Sequence, residues 1–166
     1  MSESALMQML AGEIAVPRVR AELAKISDRL KRELADDPTA PKSTFSPIDL
    51  SLYGDLPADI RSSWLFHLRA GLSHPAERHP NSIQRMFAFD RPGWFDWWDG
   101  ARWVSEQLIP GGPGLSIPAD TWHCMPAQPN AWTVVSFHTA EPEALIEIVG
   151  DPKSGAAITE RQYLTT

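Results

Sequence analysis

The sequence has a single cysteine, Cys124, among its 166 residues. An internal disulfide and a thiolate zinc site are both excluded, and a reducing compartment is expected. No apolar run approaches the roughly 18 residues that cross a bilayer, and acidic Glu3 stands where a signal peptide would be basic. Basic residues are in the minority. With 15 Lys and Arg against 21 Asp and Glu, the formal charge is −6, which speaks against a general binder of phosphate backbones. There is no Gly-rich phosphate loop, no Gly-x-Ser-x-Gly nucleophile turn and no paired-cysteine motif. These absences point to a cytoplasmic protein with neither nucleic acid nor membrane as partner.

What is present fits one folded unit, since 43% of the residues are hydrophobic and 22% charged. The 15 prolines exclude long helices over most of the chain. The exception is the start, where Val19, Leu23, Ile26, Leu30 and Leu34 recur at the spacing of one helix face. Pro17 suits the first turn of that helix and Pro38 marks its end, while Ala5 to Ile14 forms a shorter helix before it. The chain thus divides into an N-terminal helical extension, residues 1–40, and a β domain, residues 41–166. The helices are expected to cover an open face of that domain or to form a dimer contact.

After a proline-rich connector with one expected strand around Ile48 to Tyr53, short runs follow at regular intervals. They are Ser63 to Gly71, Ile83 to Asp90, Gly93 to Trp98, Arg102 to Ile109, Gly114 to Pro118, Ala131 to Thr139 and Ala144 to Val149. Turn compositions such as Arg91-Pro92-Gly93 and Pro110-Gly111-Gly112-Pro113 separate them, and Asp99-Gly100 signals a hairpin. The pattern is all-β, a sandwich or small barrel.

The histidines His67, His74, His79, His123 and His138 carry most of the chemistry. Glu77 and His79, two apart on an extended chain, share a face and together can grip one ion. Gln84 follows His79 by an odd interval, so it joins that face only if Pro80-Asn81-Ser82 turns the chain. His123 opens a strand after the turn Pro118-Ala119-Asp120. The plain alternatives are a surface pairing of Glu77 with Arg78 or Arg85, and a core role for His123 beside Trp122.

From Ser63 to Val149 the sequence resembles the cupin superfamily. Gly112, Pro118 and His123 match its second motif, with Asp120 where glycine is usual and Ala127 where asparagine is usual. Asp tolerates the left-handed conformation of that turn. In the first motif Glu77 takes the place of the first histidine, His79 that of the second, and Gln84 that of the glutamate. The resemblance implies a cupin-like double-stranded β-helix, or jelly-roll barrel, and a divalent metal held by Glu77, His79, Gln84 and His123. Two histidines and a carboxylate favour Fe(II), with Mn, Ni or Zn as other choices. Gln84 would be a weak ligand or would hold a bound water. His74, three residues before Glu77, replaces the missing first histidine if the chain bulges.

His138, Trp98 and Trp132 are candidate substrate contacts: His138 shares a strand face with Val134 and Ser136, Trp98 lies on the aromatic hairpin, and Trp132 opens the strand that carries His138. Cys124 points away from His123 and reads as an inert thiol. The implied function is a metal-dependent enzyme, of dioxygenase, isomerase or lyase type, acting on a small organic molecule. A metal-free ligand-binding or sensor barrel and an oligomeric interaction module are the other readings. A homodimer through edge strands is expected.

Overall fold

The computed structural model describes residues 1–36 and 43–162. Two helices come first, α1 (Glu3–Ala15) and α2 (Pro17–Asp36). The Ser2 side chain accepts from Ala5 N–H and caps α1, and Pro17 begins α2, where a missing N–H costs nothing. The expected boundary at residues 40 and 41, and Pro38, lie outside the described residues. Eleven strands follow: β1 (Ser43–Ile48), β2 (Ser62–Leu68), β3 (Glu77–Arg78), β4 (Gln84–Ala88), β5 (Gly93–Trp98), β6 (Trp103–Leu108), β7 (Leu115–Ile117), β8 (His123–Cys124), β9 (Trp132–His138), β10 (Ile146–Asp151) and β11 (Ala156–Gln162).

They form two antiparallel sheets, one ordered β1-β2-β9-β4-β7 and the other β11-β10-β3-β8-β5-β6. Strand alternation separates two cores. Phe66, Met86, Trp132 and Val134 of the first sheet meet Phe95, Leu108 and Met125 between the sheets. Leu65, Phe87, Val135 and Phe137 point the other way, into a core shared with Leu6, Leu10, Val19, Leu23 and Leu30. The helices therefore cover the outer face of the five-stranded sheet, and β2, β4 and β9 are buried on both faces, which is why apolar residues stand at successive positions, as in Trp64-Leu65-Phe66, Met86-Phe87-Ala88 and Val134-Val135.

The helical stripe differs from the expectation at one position. Ser27, not Ile26, is fully buried, and its hydroxyl lies 3.2 Å from Thr133 Oγ1. The strand expected from Ile48 to Tyr53 is instead the end of β1 followed by a 3-10 turn, Leu50–Tyr53, because the Asp49 side chain accepts from Ser51 N–H and starts the turn. The Asp99-Gly100 hairpin forms between β5 and β6, with Asp99 Oδ1 accepting from Ala101 and Arg102 N–H and Gly100 at φ 100°. No helix of the described residues is long and apolar enough to cross a membrane.

Candidate metal centre

Two strands of only two residues each build the centre. β3 pairs with β8 so that Glu77 lies opposite His123. The turn before β8 depends on Asp120, at φ 63° the one non-glycine residue in the left-handed region among the described residues. Its N–H donates to His79 O at 2.9 Å and its carboxylate receives Arg78 Nη1 at 2.9 Å. The Arg78 guanidinium also stacks over Trp122. Arg78 and Asp120 thereby hold the outer side of β3 and aim Glu77 and His79 inward.

Glu77, His79 and His123 each offer a ligand atom within 4.8 Å of the others, and all three are buried. Glu77 Oε1 lies 3.5 Å from His123 Nε2 and 4.0 Å from His79 Nε2. His79 Nδ1 donates to Ile146 O at 2.9 Å and His123 Nδ1 donates to Thr121 O at 2.9 Å. Both bonds fix the ring and turn Nε2 toward the carboxylate, as bonds behind metal-ligating histidines do. Phe95 stacks on His123 with centroids 5.5 Å apart.

The polar atoms of this cluster are under-satisfied. Glu77 Oε2, His123 Nε2 and Gln84 Oε1 are buried without a hydrogen-bond partner. Such atoms cost free energy in a protein interior unless a partner is supplied, and two imidazole nitrogens facing a carboxylate suit a divalent cation. The residues present fit the metal that the sequence resemblance implies.

Electrostatics agree with that use. Burial pushes His79 down to about 4, so its imidazole is neutral at neutral pH. Burial acts to raise the Glu77 carboxyl, but His74, His123 and His79 outweigh it and hold Glu77 well below the usual carboxylate range. The plain alternatives for Glu77 fail: Arg78 pairs with Asp120, and Arg85 pairs with Glu3 and Asp59 on the outer face.

The remaining candidates divide into near and far. The chain turns at Pro80-Asn81, with Ser82 N–H donating to His79 O, and crosses from one sheet to the other. The crossing resolves the odd interval: Gln84 begins β4 on the face of Met86, opposite His138 in the ladder. His138 also faces the interior, its ring centroid 5.3 Å from that of His79, with Ser136 Oγ 3.3 Å from Nε2 and Ser82 Oγ 3.4 Å from Nδ1. Burial holds His138 well below the ordinary histidine range. His74 Nδ1 is 3.4 Å from Glu77 Oε2, behind the carboxylate, and lies outside the three-residue cluster.

Trp132 and Trp98 are not brought to the centre. Trp132 sits at the other end of β9 from His138, about 20 Å away at the rise of an extended strand, with its ring against Gly93. Trp98 shares the outward face of Trp94 and packs edge-on against Trp103. Cys124 is half-buried, and burial first, then Asp96 and Glu77, pushes its thiol up to about 12, so it is inert.

One residue escaped sequence reasoning. Glu147 on β10 lies opposite His79, given the neighbouring pair Ile148 and Arg78, and is 1% exposed. It pairs with Arg161 Nη2 at 2.8 Å, while burial and then Glu77 raise its carboxyl to about 7. The signal was a lone carboxylate between Ile146 and Ile148.

Two facing sheets with an inward cluster of histidines and a carboxylate define a double-stranded β-helix, the cupin fold, with a candidate metal centre. No family model matches the chain, and no curated protein matches its sequence significantly. Solved structures do. The DMSP lyase DddQ from Ruegeria pomeroyi is 16% identical, with 68% of this chain and 53% of that one covered at a TM-score of 0.52. An oxalate oxidase in complex with glycolate is 14% identical, with 63% and 54% covered at 0.50. A protein with a double-stranded β-helix domain from Klebsiella pneumoniae is 15% identical, with 69% and 90% covered at 0.50. The chain spans about half the length of the lyase and the oxidase. At these identities the likeness establishes the fold.

Proposed function

We propose that the protein is a small metal-dependent enzyme that holds a divalent cation, Fe(II) favoured, through Glu77, His79 and His123 and acts on a small organic acid or phenol. The observation that carries this reading is the pair of histidines whose Nδ1 atoms are tied to backbone carbonyls, leaving His123 Nε2 and the Glu77 carboxylate buried and facing each other at 3.5 Å. A divalent ion bound there supplies Lewis acidity toward an oxygen of the substrate. Glu77 provides the compensating charge, and the Ile146 and Thr121 carbonyls keep both rings in the tautomer that presents Nε2. The Gln84 amide oxygen, buried and without a partner, accepts a hydrogen bond from a bound water or completes the donor set. His138, neutral and beside His79, contacts the substrate and exchanges a proton through Ser136. Similarity to a lyase and an oxidase supports enzyme chemistry and leaves the reaction type among oxidation, isomerisation and elimination.

The test is elemental analysis of untagged protein beside a Glu77→Ala, His123→Ala double variant. Near-stoichiometric Fe, Mn, Ni or Zn in the parent and its loss from a folded variant is the expected result. Absence of metal from the parent, persisting after anaerobic incubation with Fe(II) and the other ions, overturns the reading.

A further inference from the structure

A cavity lies on the far side of the five-stranded sheet from the candidate metal centre. Its volume is about 440 Å³, and Lys31, His67, Asp90, Arg91 and Asn130 line it. That is the size of a small-molecule site. His67 belongs to β2 and is 5% exposed, on the helix-facing side with Leu65. The cavity therefore opens between α2 and the outer face of the sheet, and the sheet itself separates it from His138 and the centre.

Hydrogen-bond accounting sets the protonation of His67. Thr133 Oγ1 lies 2.8 Å from His67 Nδ1, 3.1 Å from Asp90 Oδ2 and 3.2 Å from Ser27 Oγ. The threonine hydroxyl has one proton, and the carboxylate can only accept, so that proton goes to Asp90. Asp90 is held in place by Thr133 N–H at 2.8 Å and by Lys31 Nζ at 3.0 Å. Thr133 Oγ1 must then accept from His67 Nδ1–H. The imidazole is left with a bare lone pair on Nε2, which has no hydrogen-bond partner among the described residues. Burial also keeps the ring neutral by pushing its pKa down, against the opposing pull of Asp90.

The result is an oriented acceptor in a cavity that also holds Lys31, Arg91 and the Asp90 carboxylate. Arg91 is exposed and has no ion-pair partner among the described residues, while Lys31 is shared between Asp90 and Asp28. Asp90 is engaged by Lys31 and Thr133, so Arg91 is the uncompensated charge of the lining and disfavours a metal ion at Nε2. It favours an anion that also carries a hydrogen-bond donor. A neighbouring cavity of about 270 Å³ shares Arg91 and Asn130 and is lined by Trp94, 45% exposed, which offers a face to an apolar tail.

We propose that this cavity binds a hydroxy acid with an aryl or alkyl tail, its carboxylate on Arg91, its hydroxyl donating to His67 Nε2 and its tail toward Trp94. The site is independent of the metal reading. Calorimetric titration of 3-phenyllactate and of 3-phenylpropionate, which lacks the hydroxyl, tests it on the parent and on Arg91→Ala, His67→Gln and Glu77→Gln. Saturable binding of phenyllactate is expected, weaker by about tenfold or more for phenylpropionate and for Arg91→Ala, and unchanged in Glu77→Gln. No binding to the parent, equal binding of the two acids, or equal binding by Arg91→Ala overturns it. Loss in Glu77→Gln also overturns it, by moving the ligand to the metal centre. Because His67→Gln can fail to fold, long-range proton–nitrogen spectra of the parent give a separate check: His67 is expected protonated on Nδ1, and protonation on Nε2 refutes the accounting.

Discussion

Replacing Glu77 by glutamine should change stability by an amount that depends on metal. In the metal-free protein Glu77 Oε2 and His123 Nε2 are buried without hydrogen-bond partners, each a penalty of about 1–3 kcal/mol that a bound cation relieves. The pair therefore sets a gain of about 2–6 kcal/mol on loading. Mass action gives a figure in the same range, about 2.7 kcal/mol at a free metal concentration one hundred times Kd. For a chain of this size that is a rise in Tm of about 5–11 °C. Glutamine keeps the shape of the side chain but removes the charge, so the rise should nearly vanish while the metal-free Tm changes by a few degrees at most. Thermal denaturation followed by tryptophan fluorescence, with and without anaerobic Fe(II) or Mn(II), measures both. An equal rise in parent and Glu77→Gln would refute the reasoning, because the ion would then be bound elsewhere. No rise in the parent would refute it as well.

Two further outcomes follow from the packing. Gly93→Ala places a methyl group 2.2 to 2.6 Å from the buried Trp132 ring, so urea denaturation should show a loss of about 1–3 kcal/mol; an unchanged midpoint would mean that the ring moves aside freely. Deleting residues 1–37 uncovers Leu65, Phe87, Val135 and Phe137 and discards Leu6, Leu10, Val19, Leu23 and Leu30 from the same core. Five such side chains represent about 7–15 kcal/mol of burial, comparable to the whole net stability of a domain, so the truncated chain should be insoluble or unfolded, and a soluble folded barrel would refute this.

The centre was legible because its signals are local. Two-residue spacing puts Glu77 and His79 on one face, and Asp120 marks the turn that brings His123 opposite. The strand runs were legible for the same reason, and Trp64-Leu65-Phe66, where both faces are buried and alternation disappears, was still marked by its short run between turns. What stayed hidden depends on pairing between distant segments. Glu147 meets His79 only because β10 lies beside β3, and His67 meets Asp90 only through Thr133 on β9. β11 had no apolar alternation to reveal it, since all seven of its residues are exposed.

The two sheets divide the work of stability and chemistry. The five-stranded sheet has long ladders, with seven paired positions between β2 and β9, and apolar layers on both sides. β3 and β8, by contrast, share one paired position, and each has only two more with its other neighbour, β10 and β5 respectively. Side-chain and turn bonds add to these short ladders: Asp120 N–H to His79 O, Arg78 to the Asp120 carboxylate, and Ile146 O and Thr121 O receiving the two Nδ1 protons. The two Nδ1 bonds also leave each Nε2 facing inward. A short strand fixed in this way gives up pairing but gains preorganised donors, and the helix-covered sheet supplies the stability that the polar layer subtracts.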